Sequence, residues 1–267
     1  MDSREVLSRP APPPDLTVSY GPHPDHVADV RLPAGEAGPL VLLWHGGFWR
    51  SAYDRSYTGP MAADLASRGY AVASLEYRRT GADGGWPATF DDVAASIEAV
   101  PALIAAAAPG RADLNRIVYA GHSAGGHLAV WAALRSRPTG VLALAPVIDL
   151  AGAYEQDLDG GAVDALLGGG PDEVPDRYAV ADTANLAAPE APVWVIHGDE
   201  DDRVPIEMSR AYARATGCRL TELPGAGHFG VVDPLSTVWP AVLTALEVLL
   251  AGRTRKDVPR LRQGRRG

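Results

Sequence analysis

The sequence predicts an α/β fold: a mostly parallel sheet of eight strands, with helices on both faces and a small cap insertion. Several short apolar runs, such as 40–44 and 71–75, lack the alternation of half-exposed strands, which is typical of strands buried on both faces. Helix-forming stretches alternate with these runs, as they do when crossover helices cover a parallel sheet. The chain has 267 residues, enough for one such domain.

The predicted elements follow in order from the amino end. Residues 1–15 are rich in proline and are expected to form a flexible leader. Two alternating segments, 16–20 and 27–32, flank the turn sequence Gly-Pro-His-Pro at 21–24, which predicts an antiparallel pair at a sheet edge. The remaining strands are predicted at 39–44, 70–75, 117–120, 140–145, 193–196 and 219–223, and helices at 57–68, 90–107, 127–134, 162–167, 205–216 and 234–250.

The regular alternation is interrupted between residues 149 and 190. This stretch is rich in Asp, Gly and Pro, and we expect it to form a cap over the carboxyl end of the sheet. The expected organisation is therefore one domain over 16–251, with the cap inserted at 149–190. Residues 252–267 form a basic tail for which a disordered end is favoured; a contact with RNA, an anionic membrane or another protein is the alternative.

Charge and composition argue against several classes of protein. The formal net charge is −9 although the tail is basic, so the rest of the chain is acidic and nucleic acid is not expected as a partner. No apolar run is long enough to span a bilayer, and the charged amino terminus lacks the apolar segment of a secretion signal. We therefore expect a cytoplasmic protein without a membrane partner. Cys218 is the only cysteine, which excludes a disulfide within the chain.

The sequence Gly-His-Ser-Ala-Gly-Gly at 121–126 lies between a predicted strand and a predicted helix. A Gly-x-Ser-x-Gly motif in this context is typical of a nucleophile elbow, a sharp turn that presents the serine at the end of the sheet. Glycine is expected at 121 and 125 because strand and helix approach closely there. Ser123 is therefore the candidate nucleophile, and the alternative is an ordinary turn with a serine at the helix N-cap.

A serine nucleophile needs a base and an acid, and both follow later strands in the expected order of serine, acid and histidine. Asp201 lies in the loop after one of these strands and is the candidate acid, and His228 follows the next strand and is the candidate general base. Both loops should open at the carboxyl edge of the sheet, beside Ser123.

The choice of acid has alternatives. Asp199 and Asp202 lie in the same loop as Asp201, where they could cap the loop, remain solvated or pair with Arg203. Asp149, which follows an earlier strand, is a further candidate acid or a cap of the turn that follows.

Acyl transfer also requires N–H donors for the oxyanion. The backbone N–H of Ala124, next to Ser123, is one candidate. The others are Gly47, as first choice, and Phe48, both in the sequence His-Gly-Gly-Phe-Trp at 45–49 after a predicted strand.

The sequence predicts no metal site and no cofactor. The histidines at 45, 122, 127, 197 and 228 are spread over different elements, with no His-x-x-x-His or Cys pair. The three glycines at 168–170 do not connect a strand to a helix, so they do not form a dinucleotide fingerprint.

Four motifs together resemble the α/β-hydrolase superfamily. They are Gly-His-Ser-Ala-Gly-Gly at 121–126, His-Gly-Gly-Phe-Trp at 45–49, His-Gly-x-x-Asp-x-x-Val-Pro at 197–205 and Gly-Ala-Gly-His-Phe at 225–229, and the resemblance spans roughly residues 16–250. The 45–49 loop is similar to that of the kynurenine formamidase (arylformamidase) branch and its feruloyl and acetyl esterase-like relatives. Phe48 departs from the His-Gly-Gly-Gly loop of hormone-sensitive-lipase-like esterases, and Asp201 matches the acid of the family.

The resemblance implies a serine hydrolase that cleaves a small carboxylic ester or an N-formyl aryl amide through an acyl-enzyme. Phe48, Trp49 and Trp86 are candidates for the wall of the substrate pocket, with packing under the cap as the alternative for the two tryptophans. A general carboxylesterase is the main functional alternative. A peptidase or a non-catalytic binding protein on the same fold is less favoured, and the oligomeric state is not specified by the sequence.

Overall fold

The structure, a computed structural model, describes residues 3–252 and contains the predicted eight-stranded sheet. The strands are β1 (Leu16–Ser19), β2 (Val27–Arg31), β3 (Gly38–Trp44), β4 (Ala71–Leu75), β5 (Ala112–His122), β6 (Gly140–Leu144), β7 (Val193–Gly198) and β8 (Arg219–Leu223). Their order across the sheet is β1-β2-β4-β3-β5-β6-β7-β8. The pairs β1–β2 and β2–β4 are antiparallel and the other neighbours are parallel, which confirms both the predicted edge pair and the mostly parallel sheet.

The α-helices of the described residues cover both faces of this sheet or lie in the cap segment. They are α1 (Gly59–Ser67), α2 (Ala88–Ala107), α3 (Ala124–Ala133), α4 (Leu150–Glu155), α5 (Ala162–Leu167), α6 (Pro175–Ala181), α7 (Ile206–Thr216) and α8 (Trp239–Ala251). The last helix starts later than the predicted residue 234, because a short 3-10 helix at Gly230–Val232 and turns occupy the segment before it.

Side chains of β3 alternate between the two faces of the sheet. Leu40, Leu42 and Trp44 belong to one buried cluster, to which α2 and α3 contribute, whereas Val41 and Leu43 belong to a second cluster with α1 and α8. All five are fully buried. Because both faces are covered, the strand is apolar throughout, which explains the absence of polar alternation in the sequence.

The loops that carry the candidate residues leave the sheet at one edge. The strands β3, β5, β7 and β8 run parallel to one another, so their last residues, Trp44, His122, Gly198 and Leu223, lie at the same edge. Open α/β sheets bind ligands outside the carboxyl ends of their strands, so a functional site is expected at this edge.

Residues 3–15 differ from the predicted flexible leader. Ser3–Leu7 forms a 3-10 helix, and Val6 is fully buried in the cluster that includes α1 and α8. Arg9 forms a part-buried ion pair with Asp233. The buried side chain of Val6 and the ion pairs of Arg4 and Arg9 therefore tie this segment to the domain, although its proline content predicted a flexible leader.

The segment predicted as a cap holds α4, α5 and α6, and α5 has the bounds that the sequence predicted. Two side chains of α3 bind the backbone around α6. His127 Nε2 lies 2.8 Å from the carbonyl oxygen of Ala181, and Trp131 Nε1 donates to the carbonyl oxygen of Val180 at 2.9 Å. The helix that follows the elbow thus holds the cap segment, while the boundaries at 149 and 190 stay a prediction.

The carboxyl end of the described chain follows α8. The prediction of a disordered basic tail over 252–267 lies outside the described residues, apart from Gly252. Within residues 3–252, no helix combines the length and the apolar character needed to cross a membrane.

Candidate active site

Ser123 occupies the sharp turn between β5 and α3. Its φ of 56° and ψ of −121° are unusual for a residue with a side chain. A Cβ at Gly121 would lie 2.0 Å from the carbonyl oxygen of Gly125, and a Cβ at Gly125 would lie 2.1 Å from that of Trp44, so both positions require glycine. The Ser123 hydroxyl is buried and has no hydrogen-bond partner within residues 3–252.

His228 and Asp201 meet at the same edge of the sheet. His228 Nδ1 lies 2.7 Å from Asp201 Oδ2, and both side chains are buried. The other carboxylate oxygen of Asp201 accepts the backbone N–H groups of Arg203 and Val204, each at 2.8 Å. His197 Nε2 lies 3.0 Å from Asp201 Oδ2. Burial raises the pKa of Asp201, but hydrogen bonds from His197 and His228 outweigh it and hold the pKa far below its ordinary value.

The histidine of the His-Gly-x-x-Asp sequence has a position that sequence reasoning did not assign. His197 is fully buried at the end of β7, and its Nδ1 lies 2.7 Å from Ser209 Oγ. Its Nε2 faces Asp201 and the carbonyl oxygen of Val204, both acceptors, and therefore donates. His197 thus helps to hold the carboxylate of Asp201 in place; its spacing of four residues from Asp201 is the sequence signal that could have indicated this.

The alternative acids have other contacts. Asp199 accepts the backbone N–H of Gly225 at 2.7 Å. Asp202 is largely exposed and lies 3.4 Å from Arg4. Asp149 is the N-cap of α4, in the role that the sequence suggested for it besides that of acid. Burial and, to a smaller extent, the nearby carboxylate of Asp182 raise the pKa of Asp149.

The loop after β3 has an unusual backbone. Gly47, Phe48 and Trp49 have φ angles of 102°, 50° and 57°, so three consecutive residues lie in the left-handed region. Among the hydrogen bonds of residues 3–252, none has the N–H of Gly47, Phe48 or Ala124 as its donor. These three backbone N–H groups, the predicted oxyanion donors, therefore have no acceptor among residues 3–252 and could bind an oxygen of the substrate.

A buried pair of ionisable side chains supports this loop. His45 Nε2 lies 2.7 Å from Glu76 Oε1, and His45 Nδ1 lies 2.7 Å from the carbonyl oxygen of Gly46. The ring of Tyr77 stacks on His45 at 4.5 Å between centroids, and its hydroxyl donates to the carbonyl oxygen of His45 at 2.9 Å. Burial raises the pKa of Glu76, but the charge and hydrogen bond of His45 lower it below its ordinary value. These contacts of His45 therefore help to shape the loop.

A cavity of about 150 Å³ opens beside Ser123. It is lined by Arg4, Leu7, Gly47, Phe48, Tyr53, Tyr57, His122, Ser123, Asp159, Arg203, His228 and Phe229. The predicted wall residues Trp49 and Trp86 are not among them. Trp49 is fully buried, edge-on to His127, and Trp86 is partly buried against the core.

The prediction that Trp49 and Trp86 wall the pocket is therefore replaced by their packing alternative. Phe48 and Trp49 both belong to a buried core cluster, but of the two only Phe48 also lines the cavity. Phe48, the third predicted wall residue, lines the cavity together with Tyr53 and Phe229. Arg4 and Leu7 from the amino-terminal segment and Asp159 from the segment 149–190 also line the cavity. Sequence spacing alone could not place these residues beside Ser123.

Groups of three or more His, Cys, Asp or Glu side chains arranged to hold a metal ion do not occur in the described part of the chain. The described residues at this edge of the sheet include a buried serine, a histidine held by a carboxylate, and backbone N–H groups without an acceptor.

Relatives of known sequence match most of the chain. It is 31% identical over 199 residues to the uncharacterized protein Rv2307c of Mycobacterium tuberculosis, which covers 73% of this chain and 64% of that protein. It is 27% identical over 254 residues to the esterase LipC of the same organism, covering 82% of this chain and 61% of that protein. The chain thus spans less than two thirds of the length of these relatives.

Solved structures share the fold at lower identity. A truncated carbohydrate esterase from gut microbiota superposes with a TM-score of 0.74 at 22% identity, covering 89% of this chain and 98% of that one. Esterase B of Lactobacillus rhamnosis, in an inhibited form, gives a TM-score of 0.72 at 23% identity, covering 93% and 91%. These likenesses confirm the α/β-hydrolase fold.

The family model described as BD-FAE matches residues 28–215. The matched region runs from β2 to α7 and includes the elbow, the loop after β3 and Asp201, while His228 lies beyond it. Since it covers more than half of the sequence, the chain belongs to the BD-FAE family of α/β-hydrolases.

Proposed function

We propose that the protein is a serine hydrolase that cleaves carboxylic esters, with Ser123 as nucleophile, His228 as general base and Asp201 as the acid that orients it. One observation carries the proposal: the buried contact of 2.7 Å between His228 and Asp201 lies beside a cavity that also contains Ser123 in a strained turn. Strained backbone and a histidine held by a buried carboxylate are features of acyl-transfer sites.

The first half of the reaction forms an acyl-enzyme. His228 takes the hydroxyl proton of Ser123 as the serine oxygen attacks the ester carbonyl. The carbonyl oxygen becomes an oxyanion, which the N–H groups of Ala124 and of Gly47 or Phe48 stabilise. When the intermediate collapses, the bond to the alcohol oxygen breaks and His228 returns the proton to the leaving alcohol.

The second half releases the acid. Water replaces the alcohol, gives a proton to His228 and attacks the acyl carbon. The same oxyanion donors stabilise the second intermediate, and its collapse returns the proton to Ser123 and frees the carboxylic acid. Asp201 remains ionised throughout, because hydrogen bonds hold its pKa low, and it stabilises the protonated ring of His228.

The names of relatives support an ester as substrate. LipC and LipQ of Mycobacterium tuberculosis are esterases, at 27% and 28% identity, and the structural neighbours include carbohydrate and other esterases. This chain spans 61% and 56% of the two mycobacterial esterases, so their activity comes to it as a proposal.

An N-formyl aryl amide is the second candidate substrate. The loop sequence at 45–49 resembles the arylformamidase branch, and the cavity of about 150 Å³ suits a small acyl group beside an aromatic surface. Formyl is the smallest acyl group, so the space around Ser123 is compatible with it.

We also propose that the segment 149–190 acts as a cap of this site. Asp159 lines the cavity, and Arg50, next to the oxyanion loop, binds its carboxylate at 2.7 Å. Arg50 also donates to the carbonyl oxygens of Asp159 and Gly160. These contacts connect the cap segment to the loop that would bind the oxyanion.

The experiment compares wild type with Ser123→Ala on phenyl acetate and on N-formylkynurenine. Acetate turnover that depends on Ser123 supports the esterase; faster formamide turnover that also depends on Ser123 supports the formamidase. A fluorophosphonate probe that labels wild type but not Ser123→Ala supports the nucleophile independently of substrate. Absence of both labelling and turnover would contradict the proposed function.

A further inference from the structure

Two arginines that ester hydrolysis does not require line the cavity beside Ser123. Arg4 comes from the amino-terminal 3-10 helix, and Arg203 comes from the loop that carries Asp201. We refer to Arg4 and Arg203 as the rim arginines. They reach the cavity from separate parts of the chain, and their side chains are 51% and 37% exposed, so they lie at its open side.

Arg203 has an unsatisfied donor in this position. Its backbone N–H donates to Asp201 at 2.8 Å, which fixes the base of the side chain close to the catalytic acid. Its Nε is buried and has no hydrogen-bond partner among residues 3–252. A buried N–H without an acceptor costs free energy, and a shift of the partly exposed side chain that brings Nε against an oxygen of a bound ligand would remove that cost.

Two carboxylates lie near the rim arginines, and neither forms a close ion pair with Arg203. Asp202 is 66% exposed and lies 3.4 Å from Arg4 and 3.9 Å from Arg203, distances at which solvated ion pairs are weak. Asp159, which also lines the cavity, is already bound by Arg50 at 2.7 Å. Asp159 is thus taken up by Arg50, whereas Arg203 has only the distant contact with Asp202 among the ion pairs of residues 3–252.

The remaining walls define the body of the ligand. Leu7, Phe48, Tyr53 and Phe229 give the cavity an apolar and largely aromatic surface. Guanidinium groups pair with planar carboxylates through parallel N–H donors. An aromatic ring that carries a carboxylate therefore matches both the walls and the rim.

The side of the substrate that bears the carboxylate follows from the proposed chemistry. His228 returns its proton to the leaving oxygen, so the leaving group lies on the His228 side of Ser123. Arg203 is in the loop that holds Asp201 against His228, and Arg4 reaches the same loop through Asp202. Both rim arginines are thus on the leaving-group side.

We propose that the site prefers esters whose leaving group carries a carboxylate, which Arg203 and Arg4 bind as specificity-determining residues. This inference rests on the proposed esterase function. It concerns substrate choice and assigns neither arginine to the bond-breaking steps.

The test uses two pairs of substrates of nearly equal shape: 4-acetoxybenzoate with 4-acetoxybenzamide, and 3-acetoxybenzoate with 3-acetoxybenzamide. In each pair the leaving phenol carries either a carboxylate or a neutral amide. Values of kcat/KM are measured for wild type, Arg203→Gln, Arg4→Gln and the control Arg137→Gln. Arg137 pairs with Glu190 on the surface and has no contact with the cavity, so its replacement removes the same charge elsewhere.

The readout is the ratio of kcat/KM for the anionic ester to that for the neutral ester, compared between proteins so that the intrinsic reactivity of the esters cancels. We expect this ratio to fall roughly tenfold, or about 1.4 kcal/mol, in Arg203→Gln, and by a smaller factor in the more exposed Arg4→Gln, for at least one pair of isomers. Arg137→Gln should retain the ratio of wild type.

Two results would overturn the inference. An equal loss for anionic and neutral esters in Arg203→Gln and Arg4→Gln would show that the arginines act on structure alone. A ratio that changes equally in Arg137→Gln would show an effect of net charge. Turnover of the neutral esters that depends on Ser123 preserves the esterase function in both cases, whereas its absence would contradict the proposed function and this inference together.

Discussion

The hydroxyl oxygen of Tyr57 lies 3.1 Å from Nδ1 of His122 and also accepts the backbone N–H of Gly46. Burial and the neighbouring His228 hold the pKa of His122 well below its ordinary value, so its ring is neutral. Nδ1 therefore accepts a hydrogen bond from the hydroxyl group of Tyr57. The other ring nitrogen lies 3.0 Å from the carbonyl oxygen of His228 and donates to it. Tyr57 and His122 thus connect the proposed oxyanion loop to the loop of the proposed base.

Replacing Tyr57 by Phe tests this connection. The buried N–H of Gly46 would lose its acceptor, and we expect the free energy of unfolding to fall by about 1–3 kcal/mol. Because the oxyanion loop would shift, kcat should fall roughly 10- to 100-fold while the protein stays folded. Urea unfolding and ester turnover measure the two effects.

The matched control is Tyr212→Phe. Tyr212 is also buried, but its hydroxyl has no partner within residues 3–252 and lies on α7, outside the cavity. Its replacement should leave kcat at the wild-type value. A Tyr57→Phe enzyme as active as Tyr212→Phe would show that the connection does not position the loop.

Asp201→Asn tests the acid of the proposed triad. The amide keeps the size of the side chain but removes the charge that stabilises protonated His228, so kcat should fall by about 10³- to 10⁴-fold. Asp199→Asn is the control in the same loop: its oxygen can still accept the N–H of Gly225, and the rate should stay within about threefold of wild type. Similar losses in the two variants would exclude Asp201 as the specific acid.

Ser123→Gly and Ser123→Ala separate the strain of the elbow from its chemistry. Both variants lack the nucleophile, but glycine adopts the φ of 56° without the clash of a Cβ. Glycine loses more conformational entropy on folding than alanine, which offsets part of the relieved strain. We expect the free energy of unfolding of Ser123→Gly to remain about 1 kcal/mol above that of Ser123→Ala. Equal free energies of unfolding would mean that the turn stores no strain.

His127 predicts a dependence of stability on pH. Burial lowers its pKa from 6.5 to about 4, so the folded protein resists a proton that the unfolded chain binds. Its contribution is fully present above pH 6.5 and is lost as pH falls towards 4, at up to about 1.4 kcal/mol per pH unit.

The comparison variant is His127→Gln, which keeps an N–H donor for Ala181 and does not titrate. Urea unfolding of both proteins at several pH values should show wild type losing about 3 kcal/mol more than the variant over this range. Parallel pH curves would show that His127 is not held neutral by the fold.

The elbow and the triad candidates were accessible from the sequence because each is tied to a local pattern. Gly121 and Gly125 flank Ser123 because a Cβ at either position would collide with the backbone. This steric requirement fixes the residue type, so the sequence shows it directly. The candidate acid and base follow β7 and β8, whose apolar runs predicted where each strand would end. Parallel strands then bring these ends together without further information.

The walls of the cavity were not accessible in the same way. Phe48 and Trp49 are adjacent and both were candidate wall residues, yet only the folded chain shows that Phe48 lines the cavity while Trp49 packs in the core alone. The packing of the proline-rich leader was not predictable from the sequence either. Val6 is buried against α1 and α8, and that surface exists only once other parts of the chain have folded.

The residues themselves therefore determined the fold class, the elbow and the order of the candidate triad, since these depend on periodicity, on glycine sterics and on the direction of neighbouring strands. The folded chain alone decided that His197 holds Asp201, that Tyr57 and His122 join two loops, and that Arg4 reaches the cavity. Such contacts join side chains far apart in sequence or aimed by local backbone turns, and no spacing rule specifies where they meet.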